Sequence, residues 1–365
     1  IEQGAIRKKA GIDLRTIDVL VAHAGSLGIG VILVEADGSK MLPAKAPAAH
    51  EPALPPSTTL LAPVLGLDAI GRPIDPLHLH RPEHIRRLLG LSATEPHRLT
   101  PAGASRLLLH PDGGMKDRPL GARLIYLLNK ADTPARRAAG RLMADHLVSH
   151  GRSALVTTLG EETDAPVQSR HGPIAGIVLA AGESARMGRP KQLIEIAGEP
   201  LIVRTVRRAL AGGLQQVVVV MGAYRAQVEA ALDAAGLTPA AGVVRVDNPR
   251  WADGQAMSVH AGLAGLPAAV EAAIFMPVDQ PFAPALLLRQ LVRAWQTGAP
   301  MAAPSVVGSL RGAPALFDRS LWPELLALQG DVGGRLLLRR YGAEVAGIPV
   351  PGELLRDWDR PEDVG

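Results

Sequence analysis

The stretch GIVLAAGESARMGRPKQL, residues 176–193, passes within a dozen positions from an apolar run to glycines, a serine, two arginines and a lysine. Its first half has the make-up of a buried strand, and Ala180-Ala181-Gly182 ends it on side chains too small to keep a ligand off the main chain. A loop of this kind can aim successive N–H groups at an anion, and phosphate is the natural one. Arg186 would add a planar cationic fork, Lys191 a point charge and Ser184 a hydroxyl. Composition alone also admits an ordinary glycine turn with solvated basic residues. The two commonest phosphate loops do not fit: Lys191 is neither preceded by Gly nor followed by Ser or Thr, and there is no G-x-G-x-x-G run.

Outward from this loop, strand-like apolar runs alternate with helical stretches along the whole chain, the pattern of an α/β protein with mostly parallel sheets. The 365 residues suffice for two cores. Strands are expected at 174–179, 216–220, 243–247 and 273–278 in the second half, with helices at 201–211, 224–235 and 284–297 between and after them. In the first half they are expected at 31–36, 60–65, 123–129 and 154–159, and Thr133-Pro134 reads as the cap and first turn of a helix reaching His150. The polar, proline-bearing stretch 160–173 has no period, which makes 161–173 a linker between domains 1–160 and 174–365.

Composition narrows the function. Lys plus Arg number 39 against 35 Asp plus Glu, with no basic block of the kind that grips nucleic acid. There is no cysteine, which removes disulfides and thiolate chemistry and fits a reducing compartment. No apolar run reaches membrane-spanning length and no signal peptide is legible, so a soluble cytoplasmic protein without membrane partners is expected. His50, His78, His80 and His84 keep no i, i+4 spacing and read as solvated loop residues; Met187 and Met257 read as packing residues. Asp279, just past a strand and between Pro277 and Pro281, stands where α/β sheets bind ligands and could hold magnesium, or could merely cap the next helix.

The loop fills every position of the pattern LAAG-x-S-x-R-M-G-x-x-K-x-L, with Leu179, Ala180, Ala181, Gly182, Ser184, Arg186, Met187, Gly188, Lys191 and Leu193. In this it resembles nucleotidyltransferases with a glycosyltransferase-A-like, Rossmann-type fold, the group that includes molybdenum cofactor cytidylyltransferases. The resemblance runs over about residues 174–363. It implies that Asn248, Gly254 and Ser258 of VDNPRWADGQAMSVHAGL lie against the base and sugar, and that Asp279 of FMPVDQP binds Mg2+. GSLRGAPALF is similar to the acceptor-side loop, where Ala313 replaces a more usual polar residue, and GDVGGRLLL to a GD-x-G-x-R turn. DWDRPEDV is similar to the closing segment, in which Asp357 or Asp359 is either a second carboxylate for the metal or a cap of the RPED turn. LAAG and DQP resemble the cytidylyl branch more than the guanylyl branch.

In the first half, EADGSKMLPAKAPAAHEPALP, GLDAIGRPID, HRPEH and LNKAD resemble the accessory proteins of selenium-dependent molybdenum hydroxylases, over about residues 5–150. Asn129-Lys130-Ala131-Asp132 also matches the N-K-x-D base-reading motif of GTPases, a pattern short enough to arise by chance. The family's phosphate loop is absent and the chain begins at Ile1, so the resemblance implies an N-terminally truncated, P-loop-NTPase-like domain; without the donors of that loop it is expected to hold a triphosphate weakly if at all and to show no robust GTP hydrolysis.

Taken together, the sequence predicts an enzyme in which the loop 180–191 holds Mg-CTP, Asp279 anchors the metal, and Arg186 and Lys191 stabilise the leaving pyrophosphate. Leu179, Ala180, Ala181, Gly182, Ser184, Asn248, Gly254 and Ser258 then form the nucleotide site. The acceptor implied by the resemblance is the molybdopterin cofactor, with a molybdenum hydroxylase apoenzyme as partner. Guanylyl or sugar-phosphate transfer by the same fold, and a non-catalytic cofactor carrier, are the competing readings.

Overall fold

The computed structural model describes residues 11–160 and 164–364, and these separate into two compact units that divide between Gln168 and Ser169. Residues 161–163 of the expected linker lie outside the described residues.

In the first unit, α1 (Leu14–His23) starts at Asp13, whose carboxylate accepts the Thr16 N–H. The short strands β1 (Leu60–Leu61) and β2 (Val64–Gly66), the helices α2 (Pro82–Leu89) and α3 (Pro101–Leu109), and β3 (Arg123–Asn129) follow. β3 is the centre of the sheet: β1, β2 and then β4 (Ser153–Thr157) all pair with it in parallel. It buries Leu124, Tyr126 and Leu128 at alternate positions. Between β3 and β4 runs α4 (Pro134–Ser149), capped by Thr133 and opened by Pro134 as its sequence predicts.

The run 31–36 is not a strand. Its residues are irregular, with Val31 74% and Leu33 91% exposed. A strand needs a neighbour for its main-chain groups, and the described backbone offers this run one bond, from the Ala53 N–H to the Ala36 carbonyl at 3.3 Å. Its apolar side chains instead line a cavity of about 1200 Å³ against Leu60–Gly66. Part of the expected linker is ordered, for Val167–His171 form a strand, β5, in which the division between units falls.

The second unit begins with β6 (Ile174–Ala180), buried at all but one position, as expected of a strand covered on both faces. A hairpin of β7 (Glu195–Ile196) and β8 (Glu199–Pro200) leads into α5 (Leu201–Ala211). Then come β9 (Gln216–Met221), α6 (Arg225–Ala234), β10 (Val243–Asp247), α7 (Gln255–Ala264), β11 (Ala272–Pro277) and α8 (Ala285–Gln296). β12 (Met301–Val306), β13 (Ser309–Leu310), β14 (Ala315–Asp318), α9 (Trp322–Leu326), α10 (Arg335–Arg340) and β15 (Val345–Pro349) complete the unit.

The sheet order is β10-β9-β6-β11-β14-β12-β13, with β15 beside β12. Strands β10, β9, β6 and β11 are parallel, whereas β14 runs antiparallel to both β11 and β12, so this sheet is mixed. Two cores cover its faces, one gathering Val178, Val219 and Val206, the other Ile177, Val218 and Val259. Ala180 is level with Met221 at the end of the β6–β9 register, and Pro277 with Leu179. The C-terminal edge of the parallel strands, where such sheets bind ligands, is therefore formed by the loops after β6, β9, β10 and β11.

Candidate active site

The loop after β6 is shaped by a buried glutamine, Gln192. Gln192 is 1% exposed, and its amide donates to the carbonyls of Ala180 at 2.9 Å and Gly182 at 2.8 Å. A buried amide must find such partners, and here they tie the far end of the loop to its start. No signal in sequence marks Gln192, which follows Arg189, Pro190 and Lys191 in a loop of polar and cationic residues. Beneath the loop Met187 packs with Val178, Ala180 and Ile194, in the packing role expected of it.

Ser184 sits in the left-handed region at φ 58°. Its hydroxyl accepts the Lys191 N–H at 3.3 Å, so it braces the loop from within. Gly182, Gly188 and Arg186 are exposed, whereas Ala180 and Ala181 are buried and Leu179 half-buried.

The Lys191 ammonium lies 2.8 Å from Asp279 Oδ2 and 2.8 Å from Asp359 Oδ1, with its side chain 15% exposed. Burial works against the charge, but the two carboxylates outweigh it and hold the lysine above its ordinary pKa. Asp279 follows β11, and its carbonyl accepts the Trp358 N–H at 2.9 Å. Trp358 is buried and meets Phe282 edge-on, with ring centroids 5.9 Å apart. The loop after β11 and the closing segment are therefore docked on each other.

Within the closing segment, the capping work falls to Asp363, which accepts the N–H groups of Asp359 at 3.0 Å and Arg360 at 2.9 Å. That leaves Asp359 for Lys191, while Asp357 accepts from the Gln280 amide at 2.9 Å. Partial burial raises the pKa of Asp357, and the negative charges of Asp279 and Asp359 add to the rise.

Asn248 and Ser258 are buried and bonded to each other, Nδ2 to Oγ at 3.0 Å, at the end of β10 and on α7. Gly254 opens α7 at φ 114° and ψ 174°. An added Cβ would lie 2.3 Å from the Gly330 carbonyl carbon, so this glycine lets the turn at 330–331 approach. A Cβ on Gly312 would meet the Arg335 side chain at 3.2 Å, which joins the GSLRGAP loop to the GDVGGR turn. The site thus brings together the loop 181–193, Asp279 and Asp359. Asn248 and Ser258 face each other, and Gly254 serves the 330–331 turn.

In the first unit the N-K-x-D residues are engaged by the protein. Asn129 Oδ1 accepts from the Leu159 N–H at 2.8 Å and the Thr157 hydroxyl at 3.1 Å, Lys130 pairs with Asp68 and Asp132 with Arg136. The histidines are not all solvated loop residues: His78 is half-buried against Asp75 at 2.7 Å, His80 is half-buried, and His84 lies on α2, half-buried, with Nδ1 lacking a hydrogen-bond partner. Among the described residues no helix is long and apolar enough to cross a membrane.

A glycine-bearing loop at the C-terminal edge of a largely parallel sheet, with a lysine and two carboxylates converging beside it, defines a nucleotidyltransferase domain. Residues 176–345 match the MobA-like NTP transferase domain, and residues 1–83 the YqeC protein family. Nicotine blue oxidoreductase of Paenarthrobacter nicotinovorans is 31% identical over 176 residues, 46% of this chain and 82% of that protein. The chain belongs to the MobA-like NTP transferase family. The uncharacterized protein YqeC of Escherichia coli (strain K12) is 30% identical over 163 residues, 45% of this chain, which spans 61% of that protein's length. Rv0371c from Mycobacterium tuberculosis H37Rv matches in structure at a TM-score of 0.45 and 27% identity, over 52% of this chain and 95% of the other.

Proposed function

We propose that the second unit transfers CMP from Mg-CTP to the terminal phosphate of molybdenum-bearing molybdopterin and releases pyrophosphate, as a step in maturing molybdenum hydroxylases. The first unit is then a P-loop-NTPase-like accessory domain that serves the same cofactor. The observation that carries the reading is the convergence of Asp279 and Asp359, each with one oxygen 2.8 Å from the Lys191 ammonium, beside the loop 181–193.

These residues fit magnesium. Two carboxylates aimed at a single cation are the hard oxygen donors that Mg2+ takes, usually with substrate phosphates completing the shell. Bound there, the metal would neutralise charge on the triphosphate. The main-chain N–H groups of the loop would hold the phosphates, and the exposed Arg186 would reach them from outside. A phosphate oxygen of the acceptor attacks the α-phosphorus in line, and the bond to pyrophosphate breaks as the new P–O bond forms. Lys191 offsets the charge gathering on the leaving group, and its loss removes about 2–4 kcal/mol of transition-state stabilisation. Asn248, Gly254 and Ser258 would lie against the base and sugar, with the bond between Asn248 and Ser258 holding those two side chains in place.

The test is pyrophosphate release with CTP, GTP, ATP and UTP, each with and without the molybdenum cofactor. CTP with the cofactor is expected to be fastest, and Asp279→Asn to lower the rate at least a hundredfold in a folded protein. An unchanged rate in that variant refutes the metal role of Asp279, and a preference for GTP refutes the cytidylyl assignment. The oxidoreductase in the name of the Paenarthrobacter relative supplies a second reading, electron transfer by this domain. That reading expects no pyrophosphate with any nucleotide.

A further inference from the structure

We propose that Lys191 is a plug: without nucleotide its ammonium occupies the divalent-cation position between Asp279 and Asp359, and an arriving triphosphate draws it away, so that metal entry depends on nucleotide binding. The inference rests on the metal role just assigned to Asp279 and Asp359.

The geometry supports it from both sides. The ammonium is equidistant, at 2.8 Å, from one oxygen of each acid, so the point on which the carboxylates converge is already taken by a cation. A divalent cation and an ammonium of like sign cannot share that point, and the one must leave for the other to enter. The backbone of Lys191 is fixed, since it opens the turn Lys191–Leu193, its N–H is held by Ser184 and the adjacent Gln192 is clamped to the loop carbonyls. Its four-carbon stem is flexible. The head can therefore move from the carboxylates to an anion on the loop by side-chain rotation alone. The triphosphate gives the ammonium a new partner and leaves two carboxylates free for the metal that travels with the nucleotide.

Two effects of opposite sign follow from removing the lysine charge. The phosphates lose a partner, whereas the empty metal site gains affinity. A lysine that only binds phosphate leaves nucleotide-free metal binding unchanged, and one that only braces the carboxylates weakens it.

The experiment titrates Mn2+ into the full chain without nucleotide and follows the free-ion signal by electron paramagnetic resonance. Wild type, Lys191→Gln, Lys191→Met and the double variant Lys191→Gln/Asp279→Asn are compared. Each lysine variant is expected to bind one Mn2+ at least tenfold more tightly than wild type, and the double variant to lose the gain. In thermal denaturation, Mn2+ alone should stabilise the lysine variants, whereas wild type should need Mn2+ together with CTP. Asp279-dependent Mn2+ binding that is equally tight in wild type and the lysine variants overturns the plug and leaves the metal site standing. If no protein binds Mn2+ in an Asp279-dependent way, even with CTP, the metal reading fails and the plug fails with it.

Discussion

Gly254→Ala tests how closely the opening of α7 depends on a missing side chain. At φ 114° and ψ 174° the backbone lies in a region that essentially only glycine adopts, and an alanine held there costs roughly 1–3 kcal/mol. The new Cβ would also lie 2.3 Å from the Gly330 carbonyl carbon, 2.4 Å from its oxygen and 2.6 Å from the Asp331 nitrogen. All three are main-chain atoms, so the turn must move as a piece. Its movement strains the bond from the Ala256 N–H to the Gly330 carbonyl, now 3.1 Å long. Overpacking of about 1–3 kcal/mol and a lost hydrogen bond of about 0.5–1.5 kcal/mol bring the steric share to about 1.5–4.5 kcal/mol. Gly298 provides the control, since its φ is 115° but nothing lies within 4 Å of its Cβ position. Gly298→Ala should lose only the conformational share, about 1–3 kcal/mol. Urea denaturation followed by tryptophan fluorescence isolates the second unit, because Trp251, Trp295, Trp322 and Trp358 all belong to it. Equal midpoints for the two variants would refute the argument that the 330–331 turn reserves this position for glycine.

Trp358→Ala removes a buried ring between Asp357 and Asp359, and should cost about 3–5 kcal/mol while loosening both carboxylates. The Mg2+ concentration needed for half-maximal pyrophosphate release should rise several-fold, with Trp358→Phe close to wild type; no shift in the alanine variant contradicts the docking role. Asp318 accepts from Trp295 Nε1 at 2.7 Å, Arg170 Nη1 at 2.8 Å and the Ser320 N–H at 2.9 Å. Burial opposes its charge, but the bonds from Ser320, Trp295 and Arg170 hold its pKa below 3.8. A depressed carboxylate stabilises the fold above its unfolded pKa, and that contribution is lost as the pH falls through the folded value. Asp318→Asn should therefore lower stability at pH 7 by about 3 kcal/mol and flatten the further loss below about pH 4, as denaturation at pH 7 and pH 3 would show.

Much of the architecture was legible because it is local. β3 was legible from its apolar run, α4 from Thr133 and Pro134, and β6 from a run too apolar for a one-sided strand. Local pattern misled at 31–36, where β-forming residues found no neighbouring strand and remained exposed. It was also silent on β14, whose antiparallel direction depends on partners far along the chain. At the site, the loop and Asp279 stood out by residue type and position. Gln192 and Trp358 did not, since nothing in sequence says which carbonyl an amide will meet or which acids a tryptophan will carry.

By itself the sequence determined the kind of protein: a strand ending in small residues, a cationic loop after it and an acid past a later strand, each set by residues near one another in the chain. Only the tertiary structure decided that Asp359 meets Lys191 across 168 positions while Asp363 caps the turn. It alone put the lysine between two carboxylates. Those pairings arise where separate loops converge at one sheet edge, and convergence depends on packing that no local stretch of residues encodes.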